Sequence, residues 1–302
     1  MSLATPQMVA IVGAGLAGLS CAQSLLQAGH TVHVFDKARG PSGRMSTRRA
    51  EDEHGPWQCD HGAQYFTARD PAFRAEVARW QQAGVAAMWD ARLVSFDGSA
   101  WTTPNTPLER FVGTPRMTSP AAWLVQQLGD RALAQWQTTV QLLDRTKDGW
   151  AITSAEHGTH SQRYDAVLLA VPAPQAVPLL LPVAPAGAAV AAGARMRGSW
   201  AVMLRYAAPL ALPWDGAFIN TGPLRWVACD SSKPGRAPAQ GAETWLLHAS
   251  AEWSEAHMED SAESVTSALL AAFAAVSGAS GSAPLAATAH RWRYADTEPA
   301  LT

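Results

Sequence analysis

Cysteine is scarce, basic charge is not in excess, and no long apolar run is free of proline. The three cysteines, Cys21, Cys59 and Cys229, make no Cys-x-x-Cys pair and no even disulfide framework, so a disulfide-built fold is excluded and a reducing, cytoplasmic setting is expected. Lys plus Arg number 23 against 25 Asp plus Glu, a net charge of −2. Nucleic-acid binding by counterion release needs a basic face, which this balance disfavours. The most apolar stretch, Ala170 to Ala194, is interrupted by Pro172, Pro174, Pro178, Pro182 and Pro185, which rules out an unbroken membrane helix of about 20 residues. Met8 to Val12 is apolar but no basic region precedes it, so it does not read as a signal peptide. There is no His-Glu-x-x-His, no clustered set of metal ligands and no Ser-His-Asp order. No metal is expected.

What the chain has is length and apolar content. Its 302 residues suit two domains, and 48% hydrophobic against 16% charged residues exclude disorder and a charged coiled coil. Thirteen tryptophans exceed what a core of this size needs. They read either as a bulky core or as an aromatic-lined pocket.

The most informative segment lies near the N-terminus. Met8-Val9-Ala10-Ile11-Val12 is an apolar run of strand length that leads straight into Gly13-Ala14-Gly15-Leu16-Ala17-Gly18. Leu16, Leu19, Ala22, Leu25 and Leu26 follow at helical spacing, with Gly29 placed as a left-handed C-terminal residue. Thr31 to Phe35 then reads as a second strand, ending in Asp36. In such a βαβ unit Gly13 permits the tight turn, Gly15 lets a pyrophosphate approach the backbone and Gly18 lets helix and strand pack closely. The helix N-terminus supplies free N–H groups, and Asp36 would accept from a ribose diol.

Gly40 to Arg49 comes next, with Arg39, Arg44, Arg48 and Arg49 concentrated in eleven residues; guanidinium forks and glycines suit a second phosphate contact. GxGxxG, Asp36, Gly43-Arg44-Met45-Ser46 and Asp60-His61-Gly62-Ala63-Gln64-Tyr65-Phe66 together resemble the flavoprotein amine-oxidase superfamily, and within it the bacterial renalase-like proteins. Pro115-Arg116-Met117, Trp226 to Asp230 with Ser232-Lys233-Pro234-Gly235-Arg236, Leu247 to Ser254 and His290 to Ala295 are similar to that subgroup too.

The resemblance implies an α/β fold: a Rossmann-type FAD-binding domain of the p-hydroxybenzoate hydroxylase/amine oxidase-like kind with a second, mixed-sheet substrate domain. It assigns residues 1–70, 115–175 and 286–302 to the FAD-binding domain, and 71–114 and 176–285 to the substrate domain. It implies FAD bound at the pyrophosphate by Gly13, Gly15, Ala17 and Gly18, at the ribose by Asp36 and Lys37, and at phosphate or ribityl oxygens by Arg44. Asp60, His61, Gly62, Ala63 and Gln64 would lie near the isoalloxazine, and Val140 would offer its backbone to adenine. Tyr65, Trp226, Asp230 and His290 are the substrate candidates. Related flavoproteins continue past the point where Thr302 ends this chain into a Gly-Asp segment and a final helix facing the flavin pyrimidine edge, so a further C-terminal segment is expected.

Elsewhere, Arg131 to Ala134 and Trp136 to Val140 read as a strand, Gln141 to Arg145 and Trp150 to Ser154 as a hairpin, and Tyr164 to Pro172 as a buried strand. Strands around Trp200 to Tyr206, Trp226 to Cys229 and Thr244 to His248 follow, then a helix over Ala262 to Val276. His157 and His160 read as an exposed turn. Three activities remain open. Renalase-like oxidation of dihydro isomers of NAD(P) by FAD and O2, giving H2O2, needs positioning rather than a strong base. Amine oxidation in this superfamily commonly uses a lysine and an aromatic cage; of the three lysines, Lys37 belongs to the ribose loop, Lys147 to a turn, and Lys233 reads as loop. The third is a non-catalytic flavin- or nucleotide-binding protein. The partners expected are a small-molecule substrate and O2.

Overall fold

Met8–Val12 pairs in parallel with Thr31–Phe35 on one side and with Ala166–Leu169 on the other, and the helix Leu16–Gln27 makes the crossover between the first two strands. Four of five residues in each of those two strands are buried, as a parallel sheet requires. The computed structural model describes residues 5–104, 108–236, 241–279 and 281–298. Its chain forms two compact units: Met1–Arg44, Pro120–Met196 and Thr297–Thr302 in the first, Met45–Ser119 and Arg197–Asp296 in the second.

The first unit is built on a parallel sheet whose strand order is Ala166–Leu169, Met8–Val12, Thr31–Phe35, Ala132–Gln135. A three-stranded antiparallel layer, Val140–Thr146, Gly149–Ser154 and Gly158–Thr159, is inserted in the chain between the strands Ala132–Gln135 and Ala166–Leu169, and contains the hairpin expected there. Ala10, Phe35, Leu143, Ile152, Tyr164 and Leu179 make one core joining both sheets and the helix Ala173–Leu180. Three local expectations change. Trp136 to Thr139 is irregular, with Gln137 at φ 50°, so the strand stops at Gln135. The strand expected over 164–172 is short and takes the sheet edge, where Leu168 is 37% exposed. His160 is not an exposed turn residue, because its ring packs edge-on against Phe35 and its Nε2 meets the Ser154 hydroxyl at 3.1 Å.

The second unit centres on a seven-stranded mixed sheet in the order Ala286–Glu298, Arg195–Tyr206, Glu243–Ala249, Leu224–Cys229, Gly216–Ile219, Leu93–Phe96, Trp101–Thr102. Gly216–Ile219 pairs parallel with Leu93–Phe96, while its other neighbour is antiparallel. The helix Ala262–Ser277 buries Val265, Leu269 and Phe273, one residue per turn on one face, into the core with Trp200, Leu247 and Trp245. Burying each such side chain contributes about 1.5–3 kcal/mol. Ser261 caps the helix start through Ser264 N, and Gly278 ends it at φ 72°.

These units divide the chain differently from the expected domains. Residues 45–70, 115–119 and 286–296 pack in the second unit, and 176–196 in the first. The reason is pairing and packing: Cys59 lies against Ala201, Met203 and Leu246, Ala286–Glu298 is the edge strand of the seven-stranded sheet, and Leu179 plugs the first core.

Candidate functional site

In the first unit three glycines have three separate physical reasons. Gly13 turns at φ 109°, where a Cβ would meet Ala170 O at 2.5 Å, and a Cβ on Gly18 would sit 1.9 Å from Gly13 O. Gly15 is different. Its backbone is extended, at φ −72° and ψ 177°, and a Cβ would find only Gly43 Cα, at 4.0 Å. Among the described residues nothing requires glycine there, so the open space suits a group arriving from outside. Gly15 is also the N-terminal residue of the helix Leu16–Gln27, which has neither a side-chain cap nor an acidic residue in its first turn. Its first N–H groups and dipole therefore remain available to an anion.

A second loop reinforces this cradle. Ser42 N donates to Ala14 O at 3.0 Å, Ser42 bridges to Gly15, and Ser42 and Gly43 have φ of 138° and 57°. Arg44 closes this loop, as Lys37 opens it after Asp36. Asp36 accepts from Ala14 N at 2.6 Å and from Ala38 N at 2.7 Å, one bond to each carboxylate oxygen. The carboxylate is thereby oriented, and each oxygen keeps a lone pair for a ribose hydroxyl. Ala17 lies in the first turn of the helix, and Val140 opens the antiparallel layer.

In the second unit the sequence from Asp60 to Gln64 leads away from the hairpin Thr47–Asp52/Gly55–Asp60. Asp60 is 0% exposed and accepts five hydrogen bonds: Thr47 Oγ1 at 2.5 Å and Met117 N at 3.2 Å on one oxygen, Lys233 Nζ at 3.3 Å and Arg236 Nε and Nη2 at 2.9 and 2.6 Å on the other. Lys233 Nζ also donates to Asp230 at 2.7 Å and to Gln64 Oε1 at 3.1 Å. Burial alone would raise the Asp60 pKa, but the Lys233 and Arg236 charges outweigh it and hold the carboxyl below its usual range. Asp230 is pushed up to about 6 by burial and then by the Asp60 charge, against the pull of Lys233 and Arg236. Two carboxylates and two cations thus form a buried, mutually neutralising quartet.

His61 and its neighbours lie in the same unit. The His61 ring stacks on Trp292 at 5.2 Å and meets His290 edge-on at 4.6 Å. Its Nδ1 is buried and has no hydrogen-bond partner among the described residues. Burial, then the His290 and Arg48 charges, lower its pKa to about 3; burial and then Arg48 lower that of His290. Tyr65, Trp89 and Trp226 form a cluster of rings 5.6 to 6.5 Å apart, with Trp226 Nε1 buried and without a hydrogen-bond partner among the described residues. Arg110 lies over the Tyr65 ring at 5.2 Å and Lys233 over Trp89 at 5.8 Å.

The structure therefore brings Asp60, His61, Gln64 and Asp230 together, with Tyr65, Trp226 and His290 around them, all in the second unit. Asp230, a substrate candidate, instead spends its carboxylate on Lys233 and is 1% exposed. Lys233 and Arg236 were missing from the expected site. Lys233 does follow a turn, Asp230–Ser232, yet its side chain is fully buried. Their one sequence signal was position: Asp230, Lys233 and Arg236 recur every third residue across a turn.

Comparison with known proteins agrees with the fold. Residues 11–80 match the NAD(P)-binding Rossmann-like domain family. A 75-residue stretch, 25% of this chain, is 36% identical to an L-amino-acid oxidase of Bungarus fasciatus. The chain spans only 14% of that relative's length. Among solved structures, a protein from Exiguobacterium sp. 255-15 described provisionally as a protoporphyrinogen oxidase superposes with a TM-score of 0.77 at 12% identity, covering 97% of this chain and 88% of its own. Reduced UDP-galactopyranose mutase superposes at 0.74 with 12% identity, covering 96% and 82%. The fold is α/β, with a Rossmann-like dinucleotide-binding domain. Among the described residues no helix is long and apolar enough to cross a membrane.

Proposed function

We propose that this protein is an FAD-dependent oxidase, renalase-like, that converts dihydro isomers of NAD(P) to NAD(P)+ while O2 is reduced to H2O2. The observation that carries the cofactor is the open Cβ space at Gly15, flanked by turn-forming Gly13 and packing Gly18. Gly13, Gly15, Ala17 and Gly18 hold the pyrophosphate, Asp36 and Lys37 the adenosine ribose, Arg44 the phosphate or ribityl oxygens, and Val140 the adenine. Asp60, His61, Gly62, Ala63 and Gln64 lie at the ring. FAD, when bound, accepts a hydride and returns two electrons to O2.

The donor is chosen by charge. Amine oxidation calls for aromatic faces that receive a substrate cation. Here Arg110 already lies over Tyr65, where an incoming ammonium would meet like charge, and Lys233, neutralised by Asp60 and Asp230, already occupies the Trp89 face. Lys233 also has its three N–H groups engaged by Asp60, Asp230 and Gln64. A dihydronicotinamide needs no base, because its ring donates hydride directly; positioning is enough. Tyr65, Trp226 and His290 are the groups assigned to that positioning. The second reading, a flavin amine oxidase, draws on the stretch shared with the L-amino-acid oxidase and on the same aromatic cluster. A cytoplasmic location goes with either reading, since the three cysteines are free thiols.

The test is anaerobic mixing of the purified protein with 2- and 6-dihydronicotinamide nucleotides and, separately, a panel of amines, while flavin absorbance is followed. Rapid bleaching by the dihydronicotinamides alone is expected. Bleaching by amines alone replaces this reading with the second, and protein that neither carries nor takes up FAD ends both.

A further inference from the structure

The turn from Asp60 to Gln64 is held from two sides. The His61 carbonyl accepts from Trp292 Nε1 at 2.9 Å and from His248 Nε2 at 3.2 Å. A carbonyl only accepts, so His248 carries its proton on Nε2; burial lowers its pKa to about 4, which keeps it neutral. On the other side, Gln64 Nε2 donates to Asp60 O at 2.7 Å and to Gly62 O at 3.2 Å, closing the turn on itself.

A carboxamide can sit in either of two orientations that exchange its oxygen and nitrogen, and only one sends the NH2 to those carbonyls. The ammonium of Lys233 selects it. Having three donors and no acceptor, it can face only Oε1, at 3.1 Å. Its other donors go to Asp230 at 2.7 Å and Asp60 at 3.3 Å, so Nζ is fixed in place with the Lys233 and Asp60 side chains both 0% exposed. Arg236 anchors the same Asp60 oxygen from the far end of the Lys-Pro-Gly-Arg segment.

We propose that Lys233 is a positioning residue: it orients the Gln64 carboxamide, and through it holds the His61–Gln64 backbone in a single conformation for the reaction. The inference rests on the reading that this turn lies at the flavin ring. Lys233 touches neither cofactor nor substrate in this role.

The experiment compares Lys233→Met, Gln64→Leu and the double variant by hydrogen exchange with mass spectrometry, using peptides that cover residues 60–66 and, as a reference, 201–206. Lys233→Met leaves buried carboxylates short of a cation and is expected to lower overall stability as well. Gln64→Leu keeps all four charges and so isolates the carboxamide. Both singles should speed exchange at 61–65 by about tenfold, the size of one lost buried hydrogen bond, with the reference peptide unchanged in Gln64→Leu and, in Lys233→Met, speeded less than 61–65. The double should be no faster than Lys233→Met, because the two residues act in series. Wild-type exchange at 61–65 in Gln64→Leu overturns the proposal. FAD dissociation constants and bound-flavin absorption spectra are then taken for the same proteins; both singles should weaken binding and shift the absorption maximum. Faster exchange with an unaltered spectrum and affinity would keep Lys233 as the support of the turn and remove the turn from the flavin ring.

Discussion

The guanidinium of Arg236 donates from Nε and Nη2 to one carboxylate oxygen of Asp60, at 2.9 and 2.6 Å, across 176 positions of sequence. Both side chains are almost wholly buried. That pair, extended by Lys233 and Asp230, anchors the Lys-Pro-Gly-Arg segment to the turn that carries His61 and Gln64.

Removing one member of the quartet leaves uncompensated buried charge. Arg236→Leu should destabilise the protein by about 3–5 kcal/mol, measured by denaturant unfolding. A loss below about 1 kcal/mol would mean that water reaches Asp60 and solvates it.

The two glycines at either end of the first helix turn should fail differently. Gly15→Val is expected to abolish FAD retention while the melting temperature of the cofactor-free protein stays near wild type, because its side chain enters open space. Gly18→Val places atoms into Gly13 O and should lower stability with or without cofactor. Normal flavin content in purified Gly15→Val would dismiss the pyrophosphate assignment.

Acid should weaken the first unit through His33. Its ring is buried against Phe35 and bonded to the Tyr164 hydroxyl at 2.6 Å, and burial, then the His160 charge, lower its pKa to about 4. A histidine whose folded pKa lies below the unfolded value of about 6.5 contributes stability that is whole above pH 6.5 and is lost as pH falls toward 4. Unfolding free energy measured at pH 7 and pH 5 should therefore drop more in wild type than in His33→Leu. Equal drops would show that His33 takes up its proton as readily in the folded state as in the unfolded one.

Thiol chemistry should discriminate among the cysteines. Cys59 is 0% and Cys229 5% exposed, and burial raises both thiol pKa values, whereas Cys21 is half-buried on the first helix. A chromogenic disulfide reagent should titrate no more than one thiol in native protein and three after denaturation. Prompt reaction of all three under native conditions would contradict the buried cores around Cys59 and Cys229.

Asp70 caps the helix Pro71–Gln82 by accepting from Ala72 N and Phe73 N. Asp70→Ala should cost about 1 kcal/mol in thermal or denaturant unfolding, and Asp70→Asn much less. Equal losses in the two would assign the effect to charge at the helix start rather than to capping.

Local signals were legible where local physics decides. The strands Met8–Val12 and Thr31–Phe35, the intervening helix and the left-handed Gly29 at φ 93° follow from apolar runs punctuated by glycine. The hairpin around Lys147-Asp148-Gly149 and the helix from Ala262 were legible for the same reason. The exposed edge position of Ala166–Leu169 was not, because its apolar residues are those a central strand would also have, and neighbours rather than composition set exposure.

The sequence by itself determined that a βαβ unit with a glycine-rich turn and a terminal acid would form, since the φ > 0 that Gly13 permits and the clash of a Gly18 side chain with Gly13 O both arise within one short segment. Only the tertiary structure decided what Lys233, Arg236 and Asp230 do. Their polarity marks them for solvent, and a Lys-Pro-Gly sequence marks a loop. They are buried because chain folding carries the Asp60 carboxylate to them, and an ion leaves water only where another charge, distant in sequence, is already fixed to receive it.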